Sequence, residues 1–222
     1  MGRLAKVLGI AAVSGAAYAF LVRPWHMRWG ATDEETRLSL PGDELLPDPA
    51  FRTTHAIAIG APPEMVWPWL VQLGQGRGGF YSYDWLENLM GLNIRTADRI
   101  LPEFQDLEVG DVVPMAPNGF GFPVAVLEPN KSMVLFGDTR QPGNQPAPSL
   151  GPGNYFAATW GLYLKEMPNG STRLLERFAL AYNPSAATLA FTKLLLEPGS
   201  FIMEQKMLRT IKEKAEFLAR AS

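Results

Sequence analysis

Asn169-Gly170 sits inside Met167-Pro168-Asn169-Gly170-Ser171, between two long apolar-rich segments, Phe156–Lys165 and Thr172–Tyr182. Asn-Gly is the strongest short-range hairpin signal a sequence offers, because these residues reach the backbone conformations that tight turns demand. The chain must therefore accommodate a pair of long antiparallel strands. Side chains alternate along a strand, so Arg173, Leu175 and Arg177 share one face, and Thr172, Leu174, Glu176 and Phe178 share the other. Whichever face turns inward brings a charged group with it. A cationic inner face suits a carboxylate or phosphate head on a ligand. Cross-strand pairing of Arg and Glu on the outer surface is the plainer alternative.

The remaining elements arrange themselves around this pair. Thr54–Ile59 reads as a first strand, and Ala61-Pro62-Pro63-Glu64 as the start of a helix with an apolar stripe of Val66, Trp67, Leu70, Val71 and Leu73. A second helix is predicted over Tyr83–Met90, joined to the first through Gly74, Gly76, Gly78 and Gly79. Val112–Met115, Phe122–Glu128 and Ser132–Gly137 are shorter strands, and the proline- and glycine-rich stretch Gln141–Gly153 is a loop bordering an opening. Ala186–Leu196 and Phe201–Ala219 are helical, with Pro198-Gly199 expected to kink or break the run. This order predicts an α+β layout. A curved sheet closing on a long helix leaves a space that becomes a ligand pocket unless bulky side chains fill it.

The N-terminus differs from the rest. Val7–Val22 is an apolar run flanked by Arg3, Lys6 and Arg23, with Trp25 and Trp29 as interface-type residues. It reads as a retained single-span membrane anchor. A cleaved signal peptide, with Ala17-Tyr18-Ala19 as the cleavage motif, and a helix packed on the domain are the alternatives. The expected organisation is an anchor or signal over 1–28, a linker over 29–52 lying on a surface, and a domain over 53–222. Twenty Lys and Arg against 22 Asp and Glu give no basis for a nucleic-acid partner. The lack of cysteine excludes disulfides, thiolate metal sites and a Cys nucleophile. With only His26 and His55, a histidine-rich metal site is excluded, and no metal or cofactor is expected.

Three stretches, IAIGAPPEMVWPWLVQLGQGRGGFYSYDWLENLMG, DRILPEFQDLEVGD and ATWGLYLKEMPNGSTRLLERF, carry a family resemblance. From about Thr53 to the C-terminus the chain resembles the helix-grip superfamily of START domains, birch-pollen allergens and polyketide cyclases, in a bacterial branch. The resemblance implies a curved antiparallel sheet wrapped around a long C-terminal helix, with two short helices after the first strand. The N-terminal hydrophobic helix is an addition to that minimal domain. The superfamily includes lipid carriers, cyclases and hormone receptors, so the resemblance leaves function open.

Candidate cavity residues follow from this frame. They are Trp67 and Leu70 on the first helix, Tyr81, Tyr83 and Trp85 near the glycine joint, Trp160 and Arg177 on the hairpin, and Met203 and Met207 on the last helix. Tyr81, Tyr83 and Trp85 read equally as packing or rim residues, and the methionines as ordinary core. Asp84 and Glu87 lie three apart on one helix face, where burial of either would raise its pKa and fit it for acid–base work. A lone His55 near a strand start is expected to be exposed or simply satisfied. The leading expectation is non-catalytic, membrane-associated binding of a hydrophobic small molecule such as a lipid, isoprenoid or polyketide-like compound. The alternatives are a cyclase- or hydrolase-like enzyme using Tyr83, Asp84 or Arg177, and a membrane-tethered protein-interaction module.

Overall fold

The computed structural model describes residue 15, residues 17–141 and residues 155–221. Six antiparallel strands form one curved, unclosed sheet in the order β1-β6-β5-β4-β3-β2. The strands are β1 (Phe51–Ile59), β2 (Val112–Pro114), β3 (Gly121–Glu128), β4 (Ser132–Asp138), β5 (Phe156–Glu166) and β6 (Thr172–Tyr182). The helices are α1 (Arg23–His26), α2 (Asp33–Arg37), α3 (Pro63–Val71), α4 (Asp84–Leu89), α5 (Ala186–Phe191) and α6 (Glu197–Ala221). With α6 lying along the sheet's inner face, the architecture is an α+β helix-grip-like fold.

The β5–β6 hairpin forms where Asn169-Gly170 predicts it. Gly170 takes the left-handed conformation at φ 77°, and the Asn169 side chain accepts the Ser171 N–H at 3.2 Å. Register places Leu174 opposite Leu164 and Ile57, and all three join the core beneath α6, with Met207, Leu208 and Ile211 above them. The face of Leu174 and Glu176 is therefore the inner one. The face of Arg173, Leu175 and Arg177 is the outer one, so the cationic reading of the interior is corrected.

Residues 29–52 cover that outer face. Thr32 and Glu35 form a reciprocal capping box that starts α2, which satisfies two otherwise unpaired backbone donors. Arg173 holds Glu35 at 2.8 Å, and this guanidinium keeps the Glu35 carboxyl down at about 2. Arg177 Nη1 donates to Asp43 at 2.6 Å and to the Leu38 carbonyl at 2.8 Å, while its Nε donates to Thr54 Oγ1 at 3.1 Å. Leu40 and Ala31 pack on Ala56, Val134, Tyr163 and Leu175. Just upstream, the carbonyls of Met27 and Trp29 accept the Thr54 and Ala56 N–H groups, each at 3.0 Å, and so cover the free edge of β1.

One expectation changes. Pro198-Gly199 does not break the C-terminal helix, because α6 runs through both residues. The turn before it, Thr192–Leu196, is π-helical, with the Glu197 N–H bonded to the Thr192 carbonyl. That wider turn accommodates the ring and the backbone donor that proline lacks. No helix among the described residues is long and apolar enough to cross a membrane. Most of the Val7–Val22 run, and the greater part of the Gln141–Gly153 loop, lie outside the described residues.

Arg177 is 2% exposed and its partner Asp43 is largely buried, so its loss strands a charge. Arg177→Met is expected to lower stability by about 3 kcal/mol. It should also expose residues 31–46 to limited proteolysis and leave cavity binding unchanged. Urea unfolding and protease mapping check this; a stable variant with an intact 31–46 segment would refute it.

Candidate functional site

A cavity of about 210 Å³, partly open to solvent, lies between the sheet and α6. Phe122 of β3, Trp160 of β5 and Phe178 of β6 form its floor, and Met203, Glu204 and Met207 of α6 its roof. Phe80, Ser82, Glu87 and Met115 close the side. The wall is thus mostly aromatic and thioether, with Ser82, Glu87 and Glu204 as its polar members. None of the lining residues is basic.

The glycine joint shapes the side wall. Gly74 and Gly79 pair across the loop at positive φ, and Tyr81, the residue between Phe80 and Ser82, is itself left-handed at φ 56°. A non-glycine residue in that region is strained and persists only where its surroundings fix it. Here Tyr81 is fully buried, accepts a 2.8 Å hydrogen bond from Gln72 Nε2 and packs edge-on against Trp69. Burial pushes the Tyr81 hydroxyl pKa up, so the phenol stays neutral. With Tyr81 anchored beneath, Phe80 and Ser82 line the cavity, and Ser82 Oγ reaches Met203 Sδ at 3.4 Å.

Behind Glu204 stands a buried charge cluster. His55 is fully buried; its Nδ1 lies 3.0 Å from Glu176 Oε2 and its Nε2 2.8 Å from the His26 carbonyl oxygen. Both ring nitrogens face acceptors, so both carry protons and the ring is an imidazolium. Burial alone would lower its pKa, but Glu176 and Glu204 outweigh that and hold it at about 10. Trp160 Nε1 donates to the other Glu176 oxygen at 2.8 Å. Glu204 Oε2 lies 3.1 Å from Nδ1, yet the single N–H there is directed at Glu176, and Glu204 Oε2 has no hydrogen-bond partner. Burial and the negative charge of Glu176 raise the Glu204 carboxyl to about 7, against the pull of His55.

Glu87 is the second perturbed acid. It is 2% exposed, its Oε2 has no hydrogen-bond partner, and burial with the nearby Asp84 lifts its pKa to about 7. Asp84 itself is engaged, accepting from the Thr96 N–H at 2.8 Å and the Thr96 hydroxyl at 2.6 Å. The i,i+3 carboxylate pair thus divides its roles: Asp84 ties down the loop and Glu87 faces the cavity.

Among the described residues, His55, Glu176 and Glu204 also form a group whose ligand atoms lie within 4.8 Å of one another. Nδ1 must first lose its proton before these three can take a cation, since an imidazolium has no lone pair to offer. In the protonated state the cluster instead backs a carboxyl, Glu204, that can give or accept a proton near neutral pH on the cavity wall.

Of the expected cavity residues, Trp160, Met203 and Met207 line it. Leu70 and Tyr81 are core beneath it, and Trp67 packs against that core. Tyr83 caps α4 as a half-buried residue, and Trp85, at 69% exposure, points away from the core into solvent. Arg177 belongs to the outer face. His55, expected to be exposed or simply satisfied, is satisfied at both ring nitrogens and is the buried centre of the cluster. Glu204 was legible only as a glutamate at the i+3 position between Phe201 and Leu208 on the apolar stripe.

No protein-family model matches the chain, and no curated protein sequence matches it. Solved structures do resemble it. The hypothetical protein jhp0584 from Helicobacter pylori is 10% identical over 80% of this chain and 95% of its own, with a TM-score of 0.46. MLL2253 from Mesorhizobium loti is 16% identical over 78% and 99%, at 0.43. DynU16, a protein in the dynemicin biosynthetic locus, is 12% identical over 74% of this chain and 48% of its own length, at 0.42. TM-scores below 0.5 leave the fold to be read from this chain's own topology.

The raised pKa values set a pH dependence. Glu87 and Glu204 titrate near 7 in the folded chain, above their ordinary 4.5, so folding retains protons that the unfolded chain releases between those values. Their contribution is greatest below about 4.5 and is lost as pH rises to about 7. His55 adds stability in full below its ordinary 6.5, lost as pH rises through about 10. Stability is expected to fall steadily across the whole range. Glu87→Gln should make the acidic half shallower, leaving the part due to Glu204, and should not change the alkaline half, as read from urea midpoints against pH; an unchanged profile in that variant would show that Glu87 is not perturbed.

Proposed function

We propose that the protein binds a compact apolar small molecule in the cavity between sheet and α6, and does so at a membrane surface. The observation that carries the first part is the cavity itself, enclosed by aromatic and methionine side chains. A cavity of about 150 Å³ lined by apolar residues suffices for benzene. About 210 Å³ therefore suits a ring-sized group or a short branched chain rather than a whole diacyl lipid. Methionine's unbranched thioether lets Met115, Met203 and Met207 adapt to the guest. The resemblance to the START and polyketide-cyclase superfamily supports the same reading, since the corresponding space in a helix-grip fold is where a guest fits. The enzyme alternative built on Tyr83, Asp84 and Arg177 loses its support, because Arg177 stands on the opposite face of the sheet and Asp84 is held by Thr96.

Support for the membrane part comes from an exposed apolar surface. Phe20, Leu21 and Trp25 on one segment, and Phe191, Leu194 and Leu195 on another, are each more than half exposed. The two segments are fastened together: Arg23 and Glu197 form a 2.7 Å ion pair, and Tyr18 donates to the Lys193 carbonyl at 3.3 Å. Glu197 is buried, so this pair is a fixed joint rather than a surface contact. Large exposed apolar side chains gathered on two segments fastened to each other favour an interaction surface. Its continuity with the apolar run Val7–Val22 favours lipid as the occupant.

Two measurements test these statements. Benzyl alcohol is expected to bind the wild-type protein in calorimetry with one-to-one stoichiometry, and Met203→Trp, which fills the roof, should abolish the heat. Absence of binding to the wild type would sink the cavity reading. In the second, the full chain should co-sediment with phosphatidylcholine–phosphatidylglycerol vesicles, and Leu194→Asp combined with Leu195→Asp should release it by tenfold or more, each buried charge costing roughly 3 kcal/mol in hydrocarbon. Equal sedimentation of both proteins would count against this surface.

A further inference from the structure

We propose that the cavity selects a ligand carrying a protonated amine on its compact apolar body. The inference rests on the small-molecule reading above and deepens it. Three independent features of the cavity converge on a cation. The first is the sign of its polar groups. Its wall holds Glu87 and Glu204 and no basic residue, so it repels an anionic head and offers a cation two partners. His55 stands behind the wall between Glu176 at 3.0 Å and Glu204 at 3.1 Å, so two carboxyls face its single charge and Glu87 faces the cavity with no such counter-charge on the wall.

The second feature is unmet hydrogen-bonding capacity. Glu87 Oε2 is buried without any partner, although Glu87 lines the cavity and is only 2% exposed. Glu204 Oε2 also lacks a hydrogen bond, its one charged neighbour being His55 at 3.1 Å. A buried acceptor left unsatisfied is destabilising, and native structures keep few of them without a reason. Both oxygens are acceptors once the acids are ionised, so the complement they lack is a donor. An ammonium group supplies up to three N–H bonds and a positive charge, which makes each bond charge-assisted.

The third is the aromatic wall. Phe80, Phe122, Trp160 and Phe178 present π-faces or edges to the same space, and the Phe80 and Trp160 rings approach within 6.3 Å. Aromatic faces attract organic cations through the ring quadrupole, more strongly where water is excluded. Rings that merely filled a core would not require acids among them. Rings beside unpartnered carboxyls form a site in which apolar body and charged head are both accommodated. The raised pKa values of Glu87 and Glu204 agree with this, because a cation beside them would return both acids to the ionised form.

Three probes of matched size separate the possibilities: benzylamine, benzyl alcohol and benzoate, titrated calorimetrically into the full chain at about pH 8, above the range of the two acids and below that of the amine. Benzylamine is expected to bind about tenfold or more tighter than benzyl alcohol, with no detectable heat from benzoate. Glu87→Gln should reduce the amine's advantage to near unity while leaving the alcohol's affinity unchanged, and Glu204→Gln should reduce it in part. Equal binding of amine and alcohol to the wild type overturns this inference alone, as does an amine preference that survives when Glu87→Gln and Glu204→Gln are combined in one variant. Failure of all three probes overturns the cavity reading and the inference with it.

Discussion

The buried imidazolium of His55 is the interaction on which the rest of the fold depends. It sits on β1, donates from one nitrogen to Glu176 on β6 and from the other to the carbonyl of His26 in the N-terminal segment, and faces Glu204 on α6. Four parts of the chain thus meet at one ring. A charge buried without partners would be prohibitive, whereas one with two aligned acceptors and a carboxylate is fixed in place. Phe201 completes the enclosure, standing 5.8 Å from the His55 ring and 5.5 Å from that of His26. Locking the N-terminal segment to α6 in this way also positions the Arg23–Glu197 joint and the apolar surface around it. Removing the ring's charge would therefore loosen the cavity roof and this apolar surface together.

Much of this was legible in the chain because local signals were strong. The Asn-Gly hairpin, the proline-led start of α3 and the strand following Pro129-Asn130 rest on backbone chemistry that tertiary contacts reinforce. What local pattern does not contain is the choice between two faces of a strand. Both faces of β6 carry charge and aliphatic residues, and both are covered: the inner by α6, the outer by residues 29–52. A segment rich in proline and acidic residues reads as a solvated linker, yet its acids are the partners that hold half-buried Arg173 and allow Arg177 to be buried on the outer face. Only the match between Glu35 and Arg173, and between Asp43 and Arg177, reveals it, and those pairs are more than 130 residues apart.

The candidate site was partly hidden for a related reason. Trp160, Met203 and Met207 follow from the expected geometry of a sheet gripping a helix. The acids do not, because a glutamate on an otherwise apolar stripe is ordinarily assigned to the solvated side. Spacing argued otherwise for Glu204, which falls three residues after Phe201 and four before Leu208. The Asp84–Glu87 pair was visible, but which member would be buried depended on Thr96, twelve residues after Asp84, capturing Asp84.

The energetic logic of the cavity distinguishes it from incidental packing defects. A void lined only by Phe, Trp and Met would be a modest loss of dispersion contacts. Placing two carboxyls in such a void adds a desolvation cost to each, and neither Glu87 Oε2 nor Glu204 Oε2 has a hydrogen-bond partner; Glu204 recovers part of that cost by facing the His55 charge at 3.1 Å, and Glu87 has no such counter-charge on the wall. Glu176, by contrast, is fully used, with Trp160 on one oxygen and His55 on the other. Within one cluster, then, the acid that holds the fold is saturated and the acid that faces the cavity is not. Stability alone would favour an isosteric neutral residue in place of Glu87, and the proposed amine ligand accounts for a carboxyl there.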